Sequence, residues 1–182
     1  MKIFQIGFNK CGTTSLHTCF MENGVASIHW DRGKLAQRMD RNHKKGRPLL
    51  EGYEDYLFYA DMEYAPELYP HIRLYKQLDR EYPASRFILN LRDKKAWLLS
   101  RCRTYDYVES FQKKYRIRAS EVLEMWSEQW DSHFMDVRSY FAGRKDFLEF
   151  DVERDNADKL IRFLPELHLK DTWRKVVPKH AP

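Results

Sequence analysis

The 182-residue sequence predicts an α/β fold with three layers, α/β/α, whose middle layer is a mainly parallel sheet of about five strands. Short apolar runs alternate along the chain with longer segments whose apolar residues recur every three or four positions. That alternation is typical of parallel strands joined by helical crossovers. A glycine-bounded loop also follows the first apolar run directly and leads into a helical segment, which is the usual first unit of such a sheet.

The apolar runs are predicted to be the strands, because each has only four or five residues and is too short for a buried helix. In chain order they are Ile3–Ile6, Val25–Ile28, Leu57–Ala60, Phe87–Leu91 and Phe147–Phe150.

The segments between the strands are predicted to be helices. In Thr13–Glu22 the residues Leu16, Cys19 and Phe20 share one helical face, and Asn23-Gly24 gives a common helix end. The further helices are Lys34–Lys45, Glu67–Tyr82, Asp93–Arg103, Ser120–Phe141 and a last one that Asp155 caps and Pro165 ends. The aromatic residues of Ser120–Phe141 are expected in the core, because helical spacing alone accounts for them.

Length and composition limit the function classes. A hydrophobic share of 43% and a charged share of 32% exclude a disordered chain, and 182 residues suit one domain spanning residues 1–182. The net charge of +5 attracts anions but names no partner, and its interspersed charges do not indicate nucleic-acid binding. No apolar run approaches the roughly 20 residues of a membrane span, and the start of the chain lacks a signal peptide, so a cytoplasmic protein is expected.

The loop Gly7 to Thr14 is the strongest site signal. It lies at the carboxyl end of the first strand, where parallel sheets bind ligands. Successive backbone amides can form an anion nest there, and the following helix adds its positive dipole end. Hydroxyls of Thr13, Thr14 and Ser15 and the charge of Lys10 complete a site that favours a phosphate-like anion.

Gly7 and Gly12 have the glycine spacing of the Walker A loop, so the predicted sheet is P-loop-like. Thr13, however, stands where the Walker A pattern has its lysine. The string Phe8-Asn9-Lys10-Cys11-Gly12-Thr13-Thr14-Ser15-Leu16 instead resembles the 5′-phosphosulfate-binding loop of the PAPS-dependent sulfotransferases. In that family the loop typically reads Pro-Lys-[Ser/Thr]-Gly-Thr-[Thr/Ser]. The alternative is a plain glycine turn with a solvent-facing lysine.

The resemblance implies a donor site for PAPS, 3′-phosphoadenosine 5′-phosphosulfate, with PAP as its product. Lys10 would reach the oxygen that bridges phosphate and sulfate. The loop residues that the resemblance assigns to the donor are Lys10, Cys11, Gly12, Thr13, Thr14 and Ser15. The family requires no metal, and the scattered Cys11, Cys19 and Cys102 give no zinc spacing.

A second family segment is expected to bind the 3′-phosphate. Arg92 ends the strand Phe87–Leu91, and Ser100 follows eight positions later in the next helix, as in the family. A guanidinium can bind two phosphate oxygens, and the hydroxyl can add a third bond. The alternative is a surface ion pair of Arg92 with Asp93. The family's C-terminal Gly-x-x-Gly-x-x-Lys loop is absent, which leaves only Trp173, Arg174 and Lys175 as candidates to cover the donor.

Transfer to a hydroxyl or amine requires a general base. His29 ends the second strand and Asp61 the third, so both are candidates, with Glu63 a weaker third choice. For His29 the alternative is a hydrogen-bonded packing residue, and for Asp61 it is the cap of a helix over 63–68. The helical residues His43, His71 and His133 are expected on the surface.

The sequence therefore predicts a PAPS-dependent sulfotransferase whose acceptor is a small molecule, glycan, lipid or peptide, with no stable membrane insertion. One alternative is a P-loop-type nucleotide or small-molecule kinase, which Thr13 at the Walker lysine position disfavours. Another is a non-catalytic module that binds PAP or a nucleotide. The sequence leaves the oligomeric state open.

Overall fold

A computed structural model describes residues 1–176 and confirms the α/β class, with a sheet in which every pairing is parallel. The strand order is β2-β3-β1-β4-β5. The strands are β1 (Ile3–Gln5), β2 (Ser27–His29), β3 (Phe58–Ala60), β4 (Arg86–Leu91) and β5 (Phe147–Asp151). Ile3 of β1 lies opposite Phe58 of β3 on one side and opposite Arg86 of β4 on the other.

Eight α-helices connect and follow these strands within the described residues. They are α1 (Thr13–Glu22), α2 (Lys34–Lys44), α3 (Pro70–Arg73), α4 (Tyr75–Glu81), α5 (Lys94–Cys102), α6 (Tyr107–Tyr115), α7 (Ala119–Tyr140) and α8 (Ala157–Phe163). Short 3₁₀ turns cover Asp31–Gly33 and Pro165–Leu167. The predicted helix Thr13–Glu22 has the predicted bounds.

Three predictions of helical structure were wrong. The single helix expected over Glu67–Tyr82 is two helices, because it begins only at Pro70 and is interrupted at Leu74, which has φ −118° and ψ 5°. The helix α6 was not predicted, since Phe111 is its only buried residue and one residue makes no periodic pattern. Asn156, not Asp155, is the N-cap of α8, and Asp155 accepts a hydrogen bond from the Asp151 amide instead.

Contacts divide the chain into two compact units, and the first comprises residues 1–91 together with the chain from Lys145 onward. One face of its sheet packs on α1 and α8, as shown by the stacked rings of Phe20 and Phe58, whose centroids are 4.1 Å apart, and by Leu160 in the same cluster. On the other face, Phe4 of β1 contacts Tyr82, which follows α4, at 5.9 Å. Helical segments therefore cover both faces, and the layers are three.

The second unit spans residues 92–144 and consists of α5, α6 and α7. Its core surrounds a fully buried arginine, Arg101. The guanidinium carbon lies 4.4–5.5 Å from the ring centroids of Trp126, Trp97, Tyr107 and Phe111. The apolar stripe of α7 is buried as predicted, and its members are Val122, Trp126, Trp130, Phe134 and Val137.

No helix in residues 1–176 is both long enough and apolar enough to cross a bilayer. The expectation of one domain spanning residues 1–182 stays a prediction.

Candidate donor-binding loop and base

The loop between β1 and α1 occupies the position where a parallel sheet binds ligands. The strands β2 and β3 lie on one side of β1, and β4 and β5 lie on the other. The chain therefore changes its direction of winding beside β1, and the loop of residues 7–12 leaves β1 at its carboxyl end.

The two loop glycines are required for different reasons. A Cβ atom on Gly7 would lie 2.2 Å from the carbonyl oxygen of Asn90 and 2.4 Å from its Oδ1 atom, so the position has no room for a side chain. Gly12 has φ 71° in the left-handed region, and a Cβ there would meet Val152 at 2.8 Å. The sequence predicted both as turn glycines, whereas Gly7 is needed for the close approach of β4.

Lys10 and Cys11 form the middle of the loop. Lys10 is half-buried and has φ 60°, an unusual left-handed conformation for a residue with a side chain. The side chain of Cys11 is fully buried, and its carbonyl accepts a hydrogen bond from Asn90. Cys11 can therefore serve an anion only through its backbone, while Lys10 is the residue of the pair that carries charge.

The start of α1 suits an anion. The Leu16 amide makes the first intrahelical bond, to Gly12 at 3.0 Å, so the amides of residues 13–15 precede the helical hydrogen bonds. Gly12 has no side chain with which to cap the helix, and the first turn contains no acidic residue. The amides and the dipole of α1 are therefore directed at the loop, with no carboxylate in the helix's own first turn.

The three hydroxyls of this first turn have different surroundings. Oγ1 of Thr13 lies 3.0 Å from Nε2 of His29. Oγ of Ser15 accepts a hydrogen bond from the Val176 amide at 2.9 Å, which leaves its own proton available as a donor. Thr14 is half-buried.

The two candidate bases come together. His29 ends β2, Asp61 directly follows β3, and His29 pairs in register with Ala60. Nε2 of His29 lies 3.4 Å from Oδ2 of Asp61. The Asp61 amide donates to Oε1 of Gln5 at 2.8 Å, and Asp61 itself has φ 52°.

The alternative that Asp61 caps a helix over 63–68 is wrong, because those residues form a turn closed by a bridge between Tyr64 and Leu68. Glu63, the weaker candidate base, is buried beside His71, with 3.8 Å between its Oε2 atom and Nε2 of the histidine.

Both histidines next to the loop favour the neutral form. Burial, with a smaller contribution from His17, lowers the pKa of His29 to about 4. Burial also lowers the pKa of His17, whose ring centroid is 5.4 Å from that of His29. Nδ1 of His17 lies 2.6 Å from Oγ of Ser27. At neutral pH His29 is therefore uncharged and able to accept a proton.

The surface prediction for the helical histidines holds for His43 and was wrong for the other two. His71 is 1% exposed and its ring meets Phe8 edge-on at 5.9 Å. His133 is 4% exposed and packs edge-on against Phe134 at 6.1 Å. Both belong to helix faces that are otherwise apolar, and the sequence analysis gave too little weight to that setting.

The predicted 3′-phosphate residues lie in the second unit. Arg92 directly follows β4 and is half-buried, and α5 carries the half-buried Ser100 in its last turn. The carboxylate of Asp93 caps α5 by accepting from the Ala96 amide at 2.8 Å, so it has a structural role of its own. Of the two predicted ligands, Arg92 precedes α5 and Ser100 lies in its last turn.

The C-terminal residues 170–176 run back along α1. The Lys170 amide donates to Oδ1 of Asn23 at 2.6 Å, near the end of α1, and the Val176 amide reaches Ser15 near its start. Between them Trp173 packs edge-on against Phe150 at 4.9 Å, and Arg174 forms an ion pair with Glu22. Trp173 and Arg174, considered as covers for the donor, therefore have partners in the fold.

Two buried polar residues that the sequence analysis did not single out adjoin the loop. Asn90 of β4 hydrogen-bonds the backbone of Gly7, Phe8 and Cys11, and Gln5 of β1 contacts both Gly7 and Asp61. The signal that could have found them is a polar side chain inside an otherwise apolar strand, since such a residue needs buried hydrogen-bond partners.

Within residues 1–176, no group of three or more His, Cys, Asp or Glu side chains is placed to hold a metal ion.

The comparison with protein families shows to which family this chain belongs. The family described as the sulfotransferase domain matches residues 2–145, which is most of the chain. The chain belongs to the sulfotransferase domain family. A search of curated proteins found no match. Membership confirms the resemblance predicted from the loop, and it supports a transferase. The match covers the loop of residues 7–12, the candidate bases His29 and Asp61, and both Arg92 and Ser100.

Proposed function

We propose that the protein transfers a sulfuryl group from PAPS to a hydroxyl or amine acceptor. The observation that carries the proposal is the 3.0 Å contact between Oγ1 of Thr13 and Nε2 of His29. It joins the first residue of the anion-binding helix to a neutral imidazole, so a donor cradle and a proton acceptor adjoin each other in the first unit. Family membership supports the transfer itself.

The donor set fits a phosphosulfate. Lys10 supplies a positive charge, and the amides of the first turn of α1, which contains no acidic residue, supply hydrogen-bond donors. PAPS, when bound, supplies a sulfuryl group already activated by its bond to phosphate. The role we propose for Lys10 is to neutralise the negative charge that grows on the bridging oxygen as the sulfur–oxygen bond breaks. No residue of the loop needs a metal for this task.

The 3′-phosphate is proposed to bind Arg92 and Ser100. Their chemistry supports it, since a guanidinium can hold two phosphate oxygens and a hydroxyl can donate to a third. The resemblance to the family's second segment is the other support, and each residue is tested separately by mutation.

His29 is proposed to take the acceptor's proton. As the acceptor oxygen or nitrogen bonds to sulfur, the bridging sulfur–oxygen bond breaks, PAP leaves with that bonding pair, and the proton passes to the imidazole. The carboxylate of Asp61, 3.4 Å from Nε2, stabilises the imidazolium that results. The lowered pKa, about 4, keeps His29 unprotonated at neutral pH, and the imidazole is a weaker base for it.

The acceptor is proposed to be a small molecule, glycan, lipid or peptide, because a neutral imidazole can deprotonate a hydroxyl or an amine on any of them. Nucleic acid is not proposed as a partner. A cytoplasmic setting is proposed as well, which suits the free thiols of Cys11, Cys19 and Cys102.

Thermal stabilisation by nucleotides tests the donor. PAP at a hundred times its dissociation constant adds about 2.7 kcal/mol to the free energy of unfolding. For a chain of this size that corresponds to a rise in Tm of about 5–10 °C. ADP and ATP, each with and without Mg²⁺, serve as controls. A larger shift with ATP and Mg²⁺ than with PAP would contradict the proposal and favour a kinase.

Turnover distinguishes an enzyme from a module that only binds PAP. Purified protein is incubated with PAPS and a panel of hydroxyl and amine acceptors, and the release of PAP is followed. Acceptor-dependent release supports the proposal. Tight PAP binding without any acceptor-dependent release across all acceptor classes would favour the binding module.

A further inference from the structure

Two polar side chains are buried inside the central apolar strands. Gln5 of β1 is 1% exposed and Asn90 of β4 is 0% exposed. Burial of an amide without hydrogen bonds costs several kcal/mol, so such residues persist in a strand only where the protein satisfies them. The hydrogen-bond partners of Gln5 and Asn90 therefore indicate the role of these two residues.

Asn90 uses its full hydrogen-bonding capacity on one loop and one neighbour. Its Oδ1 atom accepts from the Gly7 amide at 2.9 Å and from the side chain of Gln5. Its Nδ2 atom donates to the carbonyls of Phe8 at 3.1 Å and Cys11 at 2.8 Å. Three of these four bonds therefore go to the backbone of the donor-binding loop.

Gln5 extends the same network to the candidate base. Its Nε2 atom donates to the Gly7 carbonyl at 2.6 Å and to Asn90, and its Oε1 atom accepts from the Asp61 amide at 2.8 Å. The amide and the carbonyl of Gly7 are thus both held by side chains, one by each residue. One buried amide pair links the loop to the backbone of Asp61.

The direction of these bonds bears on anion binding. In a trans peptide the carbonyl and the following amide point in opposite directions. Because Asn90 holds the carbonyls of Phe8 and Cys11, the amides of Asn9 and Gly12 are turned away from Asn90. Amides that point to the same side of a loop can bind an anion together, and their affinity for it depends on the orientation being set before the anion arrives.

We propose that Asn90 and Gln5 are positioning residues: Asn90 fixes the loop backbone in the orientation that binds the 5′-phosphosulfate, and Gln5 ties Asp61 to that loop. The identity of the anion rests on the proposed function, whereas the positioning of the loop rests on the hydrogen bonds alone.

Asn42 provides a matched control. It is also a buried asparagine, 2% exposed, and its Nδ2 atom donates to two loop carbonyls, those of Leu49 at 3.1 Å and Glu51 at 3.0 Å. Asn42→Leu and Asn90→Leu therefore both remove two donor bonds to loop carbonyls and keep a side chain of similar volume, and Asn90→Leu also removes the two bonds that Oδ1 accepts. Asn90→Ser, which leaves room for a water molecule, is the second variant if Asn90→Leu does not fold.

The first measurement uses unliganded protein and amide hydrogen exchange. Asn90→Leu or Asn90→Ser is expected to speed exchange of the loop amides of residues 7–12 by about tenfold or more, because the loop backbone loses three hydrogen bonds to Asn90. Asn42→Leu is expected to leave those amides unchanged. Gln5→Met is expected to speed exchange of the Asp61 amide. Unchanged loop exchange in the Asn90 variants would overturn the inference, whatever the ligand is.

The second measurement compares PAP with adenosine 3′-phosphate, which lacks the 5′-phosphate. The ratio of their affinities reports the contribution of the 5′-phosphate alone. Asn90→Leu is expected to lower this ratio about tenfold, while Asn42→Leu leaves it unchanged. Loss of both affinities in equal proportion would show a merely structural role and overturn the inference. Failure of the wild-type protein to bind PAP would instead overturn the proposed function, and the exchange measurement would still decide the positioning role.

Discussion

Nε2 of His29 and Oδ2 of Asp61 lie 3.4 Å apart although their residues are 32 positions apart in the chain, because β2 and β3 are adjacent and end at the same edge of the sheet. Asp61 has φ 52°, a conformation that costs about 1–3 kcal/mol for a non-glycine residue. The bond from its amide to Gln5 helps to hold it there. Strand pairing and the hydrogen bond from Asp61 to Gln5 thus bring the candidate base His29 and the Asp61 carboxylate together.

The neutral state of His29 predicts a pH-dependent stability. An exposed histidine titrates near 6.5, whereas the pKa of His29 is about 4 in the folded protein. Between these values the unfolded chain binds a proton that the folded chain does not, so stability falls as the pH falls from 6.5 to 4. His29 should contribute about 3 kcal/mol to that loss. Urea unfolding at pH 7 and pH 4.5 should therefore show a smaller decrease for His29→Gln than for the wild type. Equal decreases would contradict a buried, neutral His29.

The carboxylate of Asp61 is expected to act on turnover more than on donor binding. Asp61→Asn keeps the shape of the side chain but removes the charge that stabilises the imidazolium of His29. We expect kcat to fall by about tenfold to a hundredfold. The affinity for PAP should stay within a factor of about two. Steady-state kinetics and calorimetry provide the two numbers, and a large loss of PAP affinity with kcat preserved would place Asp61 in the donor site instead.

Lys10 is expected to act mainly on the transition state. Lys10→Met should lower kcat by about 10²–10³-fold, the usual effect of removing one donor at a centre of developing charge. The exposed Lys45 offers a control for net charge, and Lys45→Met should leave kcat unchanged. A Lys10→Met protein with wild-type turnover would mean that the lysine only faces solvent.

Gly7 tests the close approach of β4. A Cβ at this position would lie 2.2 Å from a backbone oxygen, so Gly7→Ala should cost about 3 kcal/mol of stability and weaken PAP binding. Gly24 has φ +72° and open space around it, so Gly24→Ala should cost only about 1 kcal/mol of conformational strain and leave PAP binding intact. Chemical denaturation and a thermal shift with PAP measure both. Equal behaviour of the two variants would contradict the assigned role of Gly7.

Arg101 tests the core of the second unit. Its Nε and Nη1 atoms have no hydrogen-bond partner among the described residues, and aromatic faces surround the guanidinium. Arg101→Met fills the space without a buried charge and should cost less than about 1 kcal/mol. Arg101→Lys keeps the charge but loses the planar fit to the rings, and should cost about 3 kcal/mol. The free energies of unfolding of the two variants rank them, and a Met variant less stable than the Lys variant would contradict this reading of the core.

Local sequence patterns predicted much of this fold and part of the site. Glycines and apolar spacing act over a few residues, which is why the bounds of α1 and the place of the loop between β1 and α1 were predicted correctly. The break at Leu74 left the spacing of Tyr75 and Leu78 intact, so periodicity did not reveal it. Gln5 and Asn90 are 85 positions apart, and no local pattern records which loop they hold. Their role became visible only when strand pairing brought β1 and β4 together.

The path of residues 170–176 along α1 has a practical consequence. The amide of Lys170 hydrogen-bonds Asn23 at the end of α1, and the amide of Val176 hydrogen-bonds Ser15 near its beginning. Residues 170–176 therefore stabilise α1 at both ends. A protease that cleaved the chain between Lys170 and Val176 would remove this stabilising contact and leave residues 7–15 covalently intact. If the chain binds PAPS as proposed, such cleaved protein would bind the nucleotide less tightly, and purified batches would differ in activity for that reason alone.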